Sequence, residues 1–136
     1  MALHITIGGV EVKNGDYLFL TDAQKPMKID ATQTKDLQTI IIIDSDAPNV
    51  DQPVYRYFLH MLTVNNNQEV MPYTPPAPPK NSGFHHYHIL LAAQAKAIDL
   101  ENLTWLATRH RFDLDLFIHK YGLTVIDKLY FRTTNH

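Results

Sequence analysis

The chain has 136 residues, with 12 basic and 14 acidic side chains, eight histidines and no cysteine. This length predicts a single domain over residues 1–136, since domains commonly hold roughly 100–200 residues. The lack of cysteine excludes disulfides, thiolate metal sites and cysteine nucleophiles, and a net charge of −2 gives no strong field to attract nucleic acid or an anionic membrane.

The first part of the chain predicts mainly β-strands. The stretch His4–Val12 alternates apolar and polar residues but breaks at Gly8-Gly9, and the turn signal Asn14-Gly15 is followed by a predicted strand at Tyr17–Leu20. The run Thr39–Ile43 is β-branched and apolar on both faces. This pattern is typical of a central strand that is covered on both sides.

Two longer strands are predicted at Tyr55–Val64 and Phe84–Ala92. A period of two assigns the side chains of each strand to opposite faces. On the first strand, one face is predicted to hold Phe58, His60, Leu62 and Val64, and the other Tyr57, Leu59 and Met61. On the second strand, one face is predicted to hold His85, Tyr87, Ile89 and Leu91, and the other Phe84, His86, His88 and Leu90.

The segment Asn65–Gly83 contains five of the eight prolines of the chain. Proline lacks an amide donor and fixes its own φ, so this segment is excluded from a central strand. A linker between two domains would leave two pieces with few helix signals of their own. We therefore predict a long, stiff loop inside one domain, of the length at which loops are often functional.

Apolar residues at helical spacing predict one helix near the C-terminus. Its stripe consists of Leu114, Phe117, Ile118 and Tyr121. Asp113 favours the start of this helix and Gly122 its end, and a shorter helix is predicted around Leu100–Leu106, with a closing strand at Thr124–Phe131. Many strands and few helices predict a mainly β fold, a β-sandwich with one or two peripheral helices.

The sequence also predicts where the protein works. Its longest aliphatic run, Ile40–Ile43, is far shorter than the roughly 20 apolar residues of a transmembrane helix. The N-terminal stretch lacks the basic region and long apolar core of a signal peptide. We expect a soluble, cytoplasmic protein without stable membrane insertion.

Several polar side chains interrupt or end apolar strands. Asp44 and Asp46 directly follow the central strand, where they form either a polar turn or a pair of carboxylates that needs a partner. His60 lies among apolar residues, as a core histidine or as a site residue. His85 and Tyr87 share a strand face, and both carry donors that suit an anion.

Other chemistries have less support. His86 and His88 lie at a spacing that can chelate a metal, but no third ligand follows at a metal-like spacing. The chain has no nucleophile elbow, glycine-rich phosphate loop or zinc-binding helix motif. Its basic residues are scattered rather than interleaved with aromatic ones, so we expect no nucleic-acid binding.

Two motifs in register resemble the signatures of the phosphatidylethanolamine-binding protein family. The turn Asp44-Ser45-Asp46-Ala47-Pro48, followed by Tyr55-Arg56, His60 and Asn65, resembles the first signature. The segment Pro78–Tyr87 resembles the second, a proline-rich loop that leads into Gly-x-His-Arg-Tyr. The late helix and strand of the family are matched by Phe112, Phe117, Lys120, Tyr121, Leu123 and Val125. The likeness covers about residues 5 to 131.

The resemblance implies a β-sandwich of two antiparallel sheets with a small anion-binding pocket at one end, and neither catalytic residues nor a cofactor. Carried over to this chain, the pocket comprises Asp44, Asp46, Pro48, His60, Pro79, His85 and Tyr87. Such pockets accept phosphoryl groups, either the phosphoethanolamine head group of a phospholipid or phosphorylated side chains, and many members regulate signalling partners such as protein kinases. The family also implies cis peptide bonds at Ala47-Pro48 and Arg56-Tyr57.

Some residues depart from the family pattern. Ser45 replaces a proline, His86 stands where arginine is common, and Pro75–Pro79 replaces glycines of the pocket loop, which predicts a stiffer rim. Asp127–Leu129 replaces a smaller, glycine-containing stretch. No residues follow His136 to form the C-terminal helix that borders the pocket in animal members, so we expect a compact member with a more open pocket.

We therefore expect a phosphoryl-binding protein in which His60 and His85, on two adjacent strands, supply N–H donors and Tyr87 a hydroxyl. Asp44 is expected to orient a histidine and hold it protonated. Without an arginine fork, binding is expected to be weak and to weaken as the pH rises. The alternative is a metal-assisted hydrolase that uses the same aspartates and histidines.

Overall fold

The computed structural model describes residues 2–104, 106 and 108–136. Its strands are β1 (Leu3–Ile7), β2 (Val10–Val12), β3 (Asp16–Tyr17), β4 (Met27–Ala31), β5 (Gln38–Asp44), β6 (Phe58–Val64), β7 (Gln68–Met71), β8 (His85–Gln94) and β9 (Leu123–Thr133). Its helices are α1 (Leu20–Ala23), α2 (Leu114–Lys120) and a 3₁₀ turn at Leu100–Leu103.

The strands of the described residues form a small and a large sheet. The small sheet has the order β2-β1-β4, and the large sheet has the order β3-β9-β8-β5-β6-β7. The pairs are antiparallel except that the two residues of β3 pair with β9 in parallel. The predicted mainly β, two-sheet architecture is confirmed, with that one short parallel pair as a departure.

The large sheet is covered on both faces. Between the two sheets lies a core of fully or nearly fully buried side chains, among them Leu3, Ile5, Ile42, Ile89, Leu91, Leu129 and Phe131. On the other face, α2 and the preceding loop cover a second core that includes Ile41, Leu59, Leu62, Leu90, Phe112 and Phe117. β5 lies between β8 and β6 and contributes to both cores. The predicted central, doubly covered strand is confirmed.

Helix α2 follows its sequence signals. The Asp113 side chain caps its N-terminus by accepting a hydrogen bond from the Leu116 amide at 3.0 Å. Phe117 packs fully buried against the large sheet. Gly122 follows with a φ of +60°, a conformation that favours glycine and ends the helix.

Several predicted boundaries are wrong. The strand predicted from Tyr55 begins only at Phe58, because residues 55–57 instead exchange backbone hydrogen bonds with residues 111 and 112. Leu20 starts a short helix rather than ending a strand. The proline-rich segment contains β7 at the sheet edge, and the helix predicted at 100–106 is a 3₁₀ turn over 100–103. The part of that helix at Trp105 lies outside the described residues.

A β-bulge in β6 decides where His60 lies. The register between β6 and β5 shifts by one residue at this position. The extra residue brings the His60 ring to 5.2 Å from the Tyr87 ring, on the face toward the small sheet, while Leu62 and Val64 pack in the opposite core. The prediction that these three residues share a face is therefore wrong, because a bulge reverses the alternation that a strict period of two assumes.

Candidate functional site

A cavity of about 220 Å³ lies at the end of the large sheet where β5 ends and β8 begins. We call it the β5–β8 pocket. Asp44, the last residue of β5, pairs directly with Tyr87 of β8 and with Phe58 of β6, so three neighbouring strands deliver side chains to one place. Six of the seven predicted site residues line the cavity: Asp44, Pro48, His60, Pro79, His85 and Tyr87.

His85 is held by hydrogen bonds at both ring nitrogens. Nδ1 lies 2.7 Å from Asp44 Oδ2, and Nε2 lies 2.8 Å from Ser82 Oγ. The Ser82 hydroxyl donates its hydrogen to the Pro79 carbonyl oxygen at 2.6 Å, so it accepts from His85. The fully buried ring is therefore fixed between Asp44 and Ser82, with a polar partner at each nitrogen.

This arrangement corrects the expected role of His85. Because both ring nitrogens are engaged by partners inside the protein, neither is free for a ligand. The strand that carries His60 is also not adjacent to the strand of His85, since β5 runs between β6 and β8. Asp44 does orient a histidine, as expected, and its other oxygen accepts the Asp46 amide at 2.7 Å.

His60 is buried beside the cavity with one ring nitrogen engaged. Nδ1 lies 2.7 Å from the Thr74 carbonyl oxygen, and the Thr74 amide donates back to the His60 carbonyl at 3.0 Å. Burial lowers the pKa of His60, and the Thr74 hydrogen bond and the Asp44 carboxylate offset this only in part. His60 is therefore neutral at neutral pH.

Tyr87 contributes a buried hydroxyl without a hydrogen-bond partner among the described residues. Burial and the nearby Asp44 carboxylate both raise its pKa, so the phenol keeps its proton. The hydroxyl lies near enough to this carboxylate for a polar contact to help raise its pKa, but no hydrogen bond of standard length and angle joins the two. An unpartnered buried hydroxyl is costly, and one that lines a cavity is suited to donate to a ligand.

Asp46, the remaining predicted site residue, does not line the cavity. Its carboxylate turns to β8, where Oδ2 accepts from the His86 amide at 2.8 Å and lies 2.9 Å from His86 Nδ1. Burial alone would raise the pKa of Asp46, but the hydrogen bonds from His86 outweigh it and lower the pKa. Asp46 thus fixes the turn that presents Asp44 rather than contacting the cavity.

Because the pKa of Asp46 is lowered in the folded protein, its ionised carboxylate stabilises the fold. This contribution is present above the unfolded-state pKa and is lost as the pH falls through the folded-state pKa, below about pH 4. Asp46→Asn is expected to lower the free energy of unfolding by about 1–2 kcal/mol at neutral pH. On acidification, the variant should lose less stability than the wild type. Urea unfolding from neutral to acid pH measures this, with Asp30→Asn on exposed β4 as the control. Parallel curves for the wild type and Asp46→Asn would rule out the role.

The rim of the pocket includes residues that the patterns of single strands do not predict. Tyr55, Phe58 and His110 also line the cavity, and the His110 ring stacks on the Tyr55 ring at 4.3 Å with 7° between the planes. His110 comes from residues 109–112, which pair with residues 55–59 through backbone hydrogen bonds. No local signal in the sequence indicates this pairing, because the partners are 50 or more residues apart.

Hydrogen bonds hold the proline-rich segment that lines the cavity against the rest of the protein. The Gln24 side chain donates from Nε2 to the Pro76 carbonyl at 2.9 Å, and the Asn135 side chain donates from Nδ2 to the Pro78 carbonyl at 3.1 Å. At Gly83, which has a φ of +93°, an added Cβ would lie 2.8 Å from a methyl group of Val50. Glycine is thus required where the loop enters β8.

The positions of the histidines do not support a metal-binding site. The His86 and His88 rings stack at 6.4 Å, and Nε2 of His88 lies 3.1 Å from Ser45 Oγ. Within residues 2–104, 106 and 108–136, no three histidine, aspartate or glutamate side chains are placed to hold a metal ion. The expected ligand set of a metal-assisted hydrolase is not formed in that part of the chain.

Residues 11–131 match the family model of the phosphatidylethanolamine-binding proteins. A phosphatidylethanolamine-binding protein homolog of Acanthamoeba polyphaga mimivirus is 39% identical over 137 residues, which covers 95% of this chain and 94% of the viral one. The chain belongs to the phosphatidylethanolamine-binding protein family. The two cis peptide bonds that the family resemblance implies, Ala47-Pro48 and Arg56-Tyr57, are both present.

Solved structures share the fold of this family member. The phosphatidylethanolamine-binding protein of Plasmodium vivax superposes with a TM-score of 0.77 at 19% identity, covering 98% of this chain and 85% of the other. A carboxypeptidase Y inhibitor, solved with its cognate proteinase, gives a TM-score of 0.86 at 20% identity, covering 98% and 83%. At these identities the likeness concerns the fold. None of the helices in the described part of the chain has the length and apolar character needed to span a bilayer.

Proposed function

We propose that this protein binds a phosphoryl group in the β5–β8 pocket. The observation that carries the proposal is the Tyr87 hydroxyl, a buried donor without a partner among the described residues, in a cavity that His60 also lines. Hydrogen bonds to an anion are roughly twice as strong as those between neutral groups. A phosphoryl oxygen therefore compensates the desolvated hydroxyl.

The charges around the cavity suit an anion. The carboxylate in the described lining, Asp44, is hydrogen-bonded to His85 at 2.7 Å, which draws its charge away from an incoming anion. His110 stands at the exposed rim. A cavity of about 220 Å³ is smaller than the roughly 300–1,000 Å³ of drug-sized pockets, so it suits a head group or a single phosphorylated side chain rather than a whole lipid.

Both sources of a phosphoryl group belong to the proposal. A phospholipid head group is one, in line with the name of the viral relative. A phosphorylated side chain of a signalling partner such as a protein kinase is the other, and occupation of the pocket would then control that partner. In either case the protein acts by binding, with no group in the pocket assigned to turnover.

The proposal is tested by two-dimensional NMR titration with inorganic phosphate, O-phosphoethanolamine and O-phosphoserine. We expect the largest shift changes at His60 and Tyr87, with smaller changes at His110. The two organic ligands separate the head-group source from the side-chain source by their relative affinities. Shift changes confined to another face, or none at millimolar ligand, would contradict the proposal.

A further inference from the structure

The two ring nitrogens of His60 have fixed and different roles. Nδ1 faces the Thr74 carbonyl oxygen at 2.7 Å, and since a carbonyl oxygen only accepts, Nδ1 carries the hydrogen. In the neutral ring the lone pair therefore lies on Nε2, which has no hydrogen-bond partner among the described residues. His60 thus offers the pocket an acceptor, while Tyr87 offers a donor.

An arginine holds this orientation. Arg109 donates from Nη1 to the carbonyl oxygens of Leu59 at 3.0 Å and His60 at 3.1 Å, and from Nη2 to that of Pro72 at 2.8 Å. These bonds hold the carbonyl groups of Leu59 and His60 at the bulge that turns His60 toward Tyr87. The guanidinium also places a positive charge near the ring, which opposes a second proton on it.

The charged and titratable groups around His60 keep it neutral in the free protein. Burial is the main cause of its lowered pKa, and Arg109 and the His85 ring act in the same direction. Asp44 opposes them but is paired with His85. Tyr87 and Tyr73 are neutral phenols, since burial raises the pKa of Tyr73 to about 12 and that of Tyr87 further. His110 faces the same cavity from the exposed rim.

Resting on the proposed function, we propose that the pocket selects the singly protonated form of a phosphate monoester. In this arrangement the ligand's P–OH group donates to Nε2 of His60, and one of its charged oxygens accepts from the Tyr87 hydroxyl. The ligand brings the proton that the site lacks. A dianion has no P–OH group, so it places a charged oxygen, which can only accept, against the lone pair on His60 Nε2. It therefore binds only when one proton is taken up from solvent.

The same geometry discriminates against two close analogues. A phosphodiester, such as an intact phospholipid head group, has no P–OH group to donate. A sulfate monoester has the shape and single charge of the phosphate monoanion but no proton at any accessible pH. Both leave Nε2 of His60 facing an acceptor. The pocket therefore favours phosphate monoesters, either free or on a phosphorylated side chain, over the intact phospholipid that the proposed function also admits.

Calorimetry on the unmodified protein tests this, with O-phosphoethanolamine as the monoester, glycerophosphoethanolamine as the diester and 2-aminoethyl sulfate as the matched control. At pH 6 we expect the monoester to bind at least about tenfold more tightly than either analogue. The second ionisation of a phosphate monoester has a pKa of about 6, so monoester affinity is expected to fall about 50-fold between pH 6 and pH 8. In two buffers of different ionisation enthalpy, binding at pH 8 should take up close to one proton.

The results separate this inference from the proposed function. Monoester binding that takes up no proton at pH 8, or equal affinities for monoester, diester and sulfate, would overturn the inference while leaving phosphoryl binding in place. No binding of any of the three compounds, with no NMR change at His60 or Tyr87, would overturn the proposed function itself.

Discussion

Replacing Asp44 with alanine should lower the free energy of unfolding by about 3–5 kcal/mol, the usual cost of removing one partner of a buried ion pair. The His85 ring is fully buried, and Asp44 is its only counter-charge at hydrogen-bond distance among the described residues. Without the carboxylate, Nδ1 of the buried His85 ring loses its hydrogen-bond partner. Asp44 also accepts the Asp46 amide, so the turn loses a second support.

Chemical unfolding in urea measures this effect, with Asp30→Ala on the exposed face of β4 as the control. The control should change stability by less than about 0.5 kcal/mol, as is usual for surface positions. The double variant Asp44→Ala/His85→Ala should be less destabilised than the sum of the single variants, because neither buried group is then left without its partner. Additive effects would show that the two side chains do not form the pair described here.

Replacing Tyr87 with phenylalanine should raise stability while it weakens ligand binding. The variant removes only the hydroxyl, which is buried without a hydrogen-bond partner in the described residues, so the free protein should gain about 1 kcal/mol. The same change removes the donor to the phosphoryl group. We expect the dissociation constant for O-phosphoethanolamine to rise about tenfold, since a hydrogen bond to a charged group contributes about 1.5–3 kcal/mol.

The matched control is Tyr130→Phe on β9, whose ring lies near His86 and His88 and outside the β5–β8 pocket. It should leave the dissociation constant unchanged. Thermal unfolding and calorimetric titration of both variants supply the two readouts. A Tyr87→Phe protein that is less stable and binds phosphate normally would show that the hydroxyl is a structural group rather than a ligand donor.

Local sequence signals account for much of the fold. The apolar run of β5 predicted its central position, and the alternation along β8 correctly placed Tyr87, Ile89 and Leu91 on one face. The spacing and end signals of α2 gave that helix within a residue or two. These features are set by neighbours in the chain, which is why a single sequence suffices for them.

The details of the pocket depend on contacts between distant segments. Period-two reasoning put His60 on the wrong face because the bulge in β6 follows from its pairing with β5 and from Arg109, far along the chain. His110 was missed for the same reason. Likewise, the commitment of both His85 nitrogens depends on the Ser82 hydroxyl donating to Pro79, a detail of geometry that no motif carries.

The most direct test of the account is a crystal structure of the protein soaked with O-phosphoethanolamine at mildly acid pH. We predict the phosphorus atom in the β5–β8 pocket, with one phosphoryl oxygen within hydrogen-bond distance of Tyr87 Oη and another within that distance of His60 Nε2, while His85 keeps its bonds to Asp44 and Ser82. Phosphoryl density on another face, or in the pocket but bonded to His85 in place of Asp44, would contradict the account.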